Sequence, residues 1–164
     1  MRITFFFLLL LLQQTLAFAQ TVDLPLKSPA ASAALTIGYT QISVDYSAPS
    51  VLDREIWGQL VPYDTLWRAG ANAATTVAFS TDVKINGQPL KAGKYALLVL
   101  PRKDTTWTVI FNGNTSLRGT NDYQREQDAL RVDIRPKFAR TRHQEMLQYE
   151  IVRQNIENGY MLLS

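Results

Sequence analysis

Apolar and polar residues alternate with a period of two along most of the chain, as in strands buried on one face. Ile42, Val44 and Tyr46 alternate with Ser43 and Asp45, and Thr75, Val77, Phe79 and Thr81 form one side of a second run. Val83-Lys84-Ile85 leads into Asn86-Gly87, a strong hairpin signal because a type I′ turn needs positive φ at both central positions. Ala92-Gly93 marks another turn. Tyr95 to Leu100 is apolar on both sides and stops at Pro101, which predicts a central strand covered on both faces. Trp107, Val109 and Phe111 alternate with Thr106 and Thr108, and Leu130, Val132 and Ile134 alternate with Arg131 and Asp133. Gln144 to Gln154 fits a helix through Leu147 and Ile151 or a strand through Leu147, Tyr149 and Ile151; the neighbouring strands favour the strand.

Strands recurring about every ten residues with turn residues between them predict a single-domain, all-β, antiparallel β-sandwich. Whether its topology is jelly-roll-like or immunoglobulin-like is left open. No repeat or low-complexity linker divides the chain. The domain is expected over 33–164, preceded at 20–32 by an extended arm with two prolines. The chain stops on Met161-Leu162-Leu163-Ser164, an apolar run without a polar tail, so truncation inside the last strand is expected.

Residues 1–19 depart from this pattern. Arg2 supplies a positive start, Phe5 to Leu12 an unbroken apolar stretch, and Ala17-Phe18-Ala19 a small-x-small cleavage site. These are the parts of a secretory signal peptide cut after Ala19, and the apolar run is shorter than the roughly 20 residues of a membrane span. The expectation is a periplasmic or extracellular protein with no membrane span after cleavage.

Composition narrows the chemistry. The 164 residues are 46% hydrophobic and 19% charged, enough for one folded domain and too apolar for disorder. There is no Cys and a single His, His143, which argues against disulfide scaffolds, thiol nucleophiles, Ser-His-Asp catalysis and multi-histidine metal sites. Without Arg2, 16 basic side chains stand against 14 acidic ones, a small imbalance that makes nucleic acid a poor partner. The cations are scattered except around Pro136, where Arg135, Lys137, Arg140 and Arg142 gather. Such a group can meet phosphates or anionic glycans, although a solvated loop is the favoured reading. No cofactor and no metal is expected.

Gly87 to Lys94 looks like a phosphate loop and fails as one. Five residues rather than four separate Gly87 from Gly93, and Tyr95 follows Lys94 where Ser or Thr is required. Asn112-Gly113-Asn114 and Asp122 carry calcium-type oxygens, but read better as polar loops. Richer chemistry lies in Trp67-Arg68-Ala69-Gly70-Ala71-Asn72-Ala73-Ala74-Thr75. Trp67 offers a flat π-face, Arg68 a planar fork for carboxylate or phosphate, and Asn72 both donor and acceptor. A sugar or small anion would want these groups together. The competing reading has Trp67 filling the core while Arg68 and Asn72 tie down a loop. Asp45-Tyr46, with Pro49 and Asp53-Arg54, forms a second cluster in which Arg54 is within sequence reach of Asp45.

Asp45-Tyr46-Ser47-x-Pro49-Ser50, Leu60-Val61-Pro62-Tyr63, Trp67-Arg68-x-Gly70-Ala71-Asn72-x-Ala74-Thr75, Gly93-Lys94-Tyr95 and Trp107 to Asn112 together resemble the bacterial family called domain of unknown function 2911. The resemblance covers roughly Ser28 to the C-terminus. It implies a secreted or envelope protein of mainly β structure and brings no established activity or catalytic residues. Ala48 stands where many members have Arg, and Arg118 where an aromatic is common, so a pocket built on those positions is altered here.

The leading functional expectation is a non-catalytic binding module for a carbohydrate or another small polar envelope ligand. Trp67, Arg68 and Asn72 would carry the site, with Tyr46, Arg54 and Tyr95 as neighbours. One alternative is a hydrolase using Asp45 or another carboxylate as base with Arg68 steadying an anionic transition state. Another is a structural envelope protein that engages a partner through a sheet edge.

Overall fold

The computed structural model describes residues 26–138 and 143–164. The expected signal peptide at 1–19, the first part of the expected arm, Arg140 and Arg142 lie outside them. Ten strands follow in order: β1 (Ala30–Ile37), β2 (Thr40–Ser47), β3 (Thr76–Phe79), β4 (Val83–Ile85), β5 (Gln88–Leu90), β6 (Gly93–Leu100), β7 (Trp107–Asn112), β8 (Asp128–Ile134), β9 (Tyr149–Arg153) and β10 (Gly159–Leu163). The fold is all-β and antiparallel; among the described residues, one 3-10 turn at Arg125–Gln127 interrupts the run of strands. Among the described residues no helix is long and apolar enough to cross a membrane.

Six strands form one sheet in the order β1-β2-β3-β6-β7-β8, a meander into which the β4–β5 hairpin is inserted; β9 and β10 form a separate ribbon. Strand alternation gives this sheet two working faces. Val44, Val77, Leu97, Val99, Trp107 and Phe111 form a first core, onto which both ribbons pack through Val83, Ile85, Leu90, Leu147, Tyr149 and Ile151. Ala74, Ala96, Leu98, Ile110 and Leu117 form a second core on the opposite face, under loops that contribute Leu66 and Tyr123. The double-sided apolar pattern of β6 is thereby explained: its odd positions enter the first core and its even ones the second.

The Asn86-Gly87 turn forms with φ of 49° and 80°, joining β4 to β5 in the register Ile85↔Gln88. Of the ambiguous segment Gln144–Gln154, Tyr149–Arg153 forms strand β9, while Leu147 lies before it in the loop. β1 begins at Ala30, so the last three residues assigned to the arm are paired with β2, Ala30 opposite Ser47. Its run of Ala and Ser gives weak alternation, and the strand is held by its register with β2 rather than by its own propensity. β10 leaves Tyr160, Met161, Leu162 and Leu163 each at least a third exposed.

A polar cluster lies within the second face. Asn112 is fully buried, and its Nδ2 donates to Asp128 Oδ1 at 2.8 Å and to the Gln124 carbonyl at 3.0 Å. Its Oδ1 accepts the Asn114 N–H at 2.9 Å. The Tyr123 hydroxyl and Arg131 Nη1 both donate to Asp128 Oδ2 at 2.7 Å. These bonds fix the register shift between β7 and β8 at Phe111/Asn112. Of the residues that carry calcium-type oxygens, Asn112 thus turns inward as a structural tie. Replacing Asn112 by Ala removes three bonds and leaves the buried Asp128 carboxylate short of a donor, at a cost of about 2–4 kcal/mol. Chemical denaturation of Asn112→Ala against wild type measures it, and an unchanged midpoint would contradict the role.

Candidate functional site

The β2–β3 connection spans 48–75, too long for a simple turn, and long connections in compact domains commonly carry function. Local strain concentrates in it: Leu52, Asp53, Asp64, Ala69 and Asn72 have positive φ, against only Asn86 and Asp104 among the other described non-glycine residues. Leu52 and Ala69 have no polar side chain to ease that conformation, so the surrounding contacts must impose it.

Two points of the connection share one edge of β6. Trp67 and Val99 exchange backbone bonds at 2.8 Å in both directions, and Leu97 N–H donates to the Thr75 carbonyl at 2.8 Å. Between these points 68–74 has to loop out. The Ala69 carbonyl anchors the loop by accepting the Thr75 hydroxyl at 2.9 Å and the Tyr149 hydroxyl at 2.7 Å. Gly70 is wedged beside them, since a Cβ there would stand 2.7 Å from Thr75 Oγ1 and 3.2 Å from the Ser47 carbonyl. Ala74 N–H donates to the Leu117 carbonyl at 3.0 Å. Most of the Trp-Arg-x-Gly-Ala-Asn-x-Ala-Thr run is therefore architecture.

The six residues singled out in the sequence divide by face. Trp67 packs against the first core and meets Trp57 edge-on at 5.5 Å, so its ring is largely spent on packing. Tyr46 packs on the same core, edge-on to Tyr149 at 4.8 Å, and its oxygen accepts the Tyr149 N–H at 3.3 Å. Tyr95 also belongs to that core and donates to the Lys91 carbonyl at 2.9 Å. Asn72 is exposed and donates to the Ser28 carbonyl at 3.2 Å. Arg54 braces its own loop, donating from Nε to the Val51 carbonyl at 2.9 Å. Asp45 is ion-paired with Lys94 at 3.2 Å, both more than half exposed. Ala48, one of the two family departures, is buried with its N–H bonded to the Pro29 carbonyl, while Arg118 is exposed.

Arg68 is different. Its Nε is buried with no hydrogen-bond partner, and among the described residues no side chain forms a hydrogen bond or ion pair with its guanidinium. Leaving such a donor unmet costs about 1–3 kcal/mol. Gly119 makes room for the group: its φ is +95° and a Cβ there would sit 3.4 Å from Arg68 Nη1. Arg68 and Trp67 border a cleft of about 180 Å³ whose other walls are Leu60, Val61, Pro62 and Leu66, with hydroxyls from Thr65 and Thr120. Of the six expected site residues, only these two meet there. Leu60-Val61-Pro62 stood out in the sequence only as part of the family resemblance, and the Gly119-Thr120 turn did not stand out at all; neither carries a chemical signature that would place it beside Arg68.

Burial raises the Tyr149 hydroxyl far above the ordinary tyrosine value of 10.0. Tyr123 is raised as well, by burial first and by the Asp128 carboxylate second.

Two outcomes follow from this geometry. Gly70→Ala pushes a methyl into Thr75 and the Ser47 backbone and should lower stability by about 1–3 kcal/mol, measured by denaturant unfolding. Both tyrosines hold their protons more tightly when folded than when unfolded, so their contribution is complete below pH 10 and is lost as pH rises above it. A stability profile from pH 8 to 12 should fall above pH 10, less steeply in Tyr149→Phe; equal slopes would remove Tyr149 as the cause.

Residues 28–164 match the model of a family described as a protein of unknown function (DUF2911). No curated protein and no solved structure matches the chain.

Proposed function

The chain belongs to the family of unknown function DUF2911, and for this member we propose a non-catalytic binding module that takes a small carboxylate on Arg68. The supporting observation is the guanidinium itself, held against Gly119 with a buried, unmet Nε at the edge of a cleft. A carboxylate presents two acceptors in one plane and matches that fork. At about 180 Å³ the cleft is smaller than the roughly 300–1,000 Å³ of common ligand sites, so it admits a compact ligand or the end of a longer one. Its apolar walls fit a short hydrocarbon group behind the carboxylate, and Thr65 and Thr120 supply hydroxyls at the margin. Trp67 contributes a wall instead of a stacking platform.

The same proposal includes export by the N-terminal signal peptide, with the ligand drawn from the cell envelope. The hydrolase reading, with Asp45 or another carboxylate as base, draws no support from the cleft: Asp45 pairs with Lys94, and no Asp or Glu is among the described residues that line it.

Arg68→Gln is the test. Because the guanidinium lacks a partner, the substitution should leave unfolding free energy within about 1 kcal/mol of wild type or raise it, as removal of functional groups often does. Titration with benzoate and isobutyrate, followed by tryptophan fluorescence, should give saturable binding that Arg68→Gln abolishes and neutral benzamide does not reproduce. A loss of about 3–5 kcal/mol in the variant would mark Arg68 as a structural cation and end this reading, as would carboxylate binding indifferent to the substitution.

A further inference from the structure

A second cleft of about 180 Å³ opens where β7 begins and β8 ends, between Arg102 and Arg135. It is separate from the Arg68 cleft and shares no lining residue with it. Three features of its walls bear on what it takes.

The first is a fixed cation. Arg102 Nη1 donates to Thr108 Oγ1 at 2.9 Å and to the Thr106 carbonyl at 3.3 Å. Thr108 in turn donates to Asp133 Oδ1 at 2.7 Å, and Trp107 Nε1 bonds the Arg102 carbonyl at 2.8 Å. These contacts hold one side of the guanidinium in place. Among the described residues its Nε meets only Asp64, 3.9 Å away, which leaves donors free at little entropic cost. Arg135 is exposed, and no acidic side chain among the described residues pairs with it.

The second is an open aromatic ring. Phe138 is 59% exposed, yet it is held edge-on against the buried Trp107 at 5.8 Å. An ordered phenyl ring facing water offers an apolar platform for a ligand's C–H face. Tyr63 closes another wall.

The third is mixed polarity. Asp104 and Thr105 also border the cleft. A carboxylate beside the two arginines repels a bare anion, but accepts hydrogen bonds from hydroxyl groups. The ligand that satisfies all three features is one small ring carrying hydroxyls, an apolar face and a carboxylate.

We propose that the Arg102–Arg135 cleft is a subsite for a hexuronic acid unit of an acidic glycan. The carboxylate lies between the two guanidinium groups, the C–H face of the sugar rests on Phe138, and ring hydroxyls reach Asp104 and Thr105.

Isothermal titration of the full chain with sodium glucuronate tests this, with glucose and inorganic phosphate as comparison ligands. Saturable glucuronate binding is expected, at least tenfold tighter than either comparison ligand. Arg135→Gln and Phe138→Ala alter exposed side chains, so both should fold, and each should weaken glucuronate about tenfold or more. Arg68→Gln should leave it unchanged, which keeps this result distinct from that of the carboxylate cleft. Phosphate binding as tightly as glucuronate would reduce the site to a bare anion contact and overturn the proposal. So would glucose binding equally well, undiminished binding in the two variants, or no glucuronate binding at all.

Discussion

The free edge of β6 is the constraint on which the rest of the candidate site depends. Strand β7 takes one side of β6, and the other side must be divided between β3 with Thr75 at its start and the isolated bridge at Trp67. Residues 68–74 therefore have to leave the sheet and return to it within a few ångströms. The Ala69 carbonyl makes that detour stable by receiving two hydroxyl donors, one from the returning strand and one from the β9 ribbon. Because Trp67 keeps strand geometry, it enters the first core and its neighbour Arg68 is turned to the other face, beside Gly119. The position of the cation is thus a consequence of backbone pairing, with no ion pair needed to hold it.

The two arginines of the second face make the contrast concrete. Arg131 donates to the Asp128 carboxylate and the Tyr123 hydroxyl, and Asp128 in turn is met by Asn112. That cluster is closed: its donors and acceptors answer one another, as buried polar groups in a stable domain must. Arg68 lies on the same face with a buried nitrogen unanswered. A sequence under pressure for stability alone would place an acceptor there or an apolar side chain. That disparity, more than the shape of the cleft, separates a functional reading of Arg68 from a structural one.

Much of the fold was legible because strand period and turn chemistry act locally. The alternation in 42–46, 107–111 and 130–134 and the Asn86-Gly87 turn need only their own residues to declare themselves. β1 was missed because Ala30 to Ala34 carries almost no contrast between its faces and acquires a register only from β2. The site was less legible for a related reason. Tyr46, Tyr95 and Arg68 are all plausible binding side chains by type, but strand parity places the two tyrosines in the first core while Arg68 is turned to the other face beside Gly119. Sequence proximity carries no information about the loop at Gly119, which lies in the β7–β8 connection and reaches Arg68 only through the fold.

The segment from Leu60 to Trp67 joins these observations. Leu60, Val61, Pro62, Thr65 and Leu66 wall the Arg68 cleft, while Tyr63 in their midst turns toward Arg102 and Phe138. The same short run is tied to β6 at Trp67 and to Pro101 through the Asp64 N–H at 2.8 Å, with Asp64 itself in a left-handed conformation. Those two backbone anchors fix both clefts relative to the central strand. The two clefts differ in chemistry: one has apolar walls around a guanidinium whose Nε is buried, the other an exposed phenyl ring with Arg102 and Arg135 on its walls. Each cleft nevertheless takes part of its wall from the same short stretch of backbone, so the left-handed turn at Asp64 shapes both.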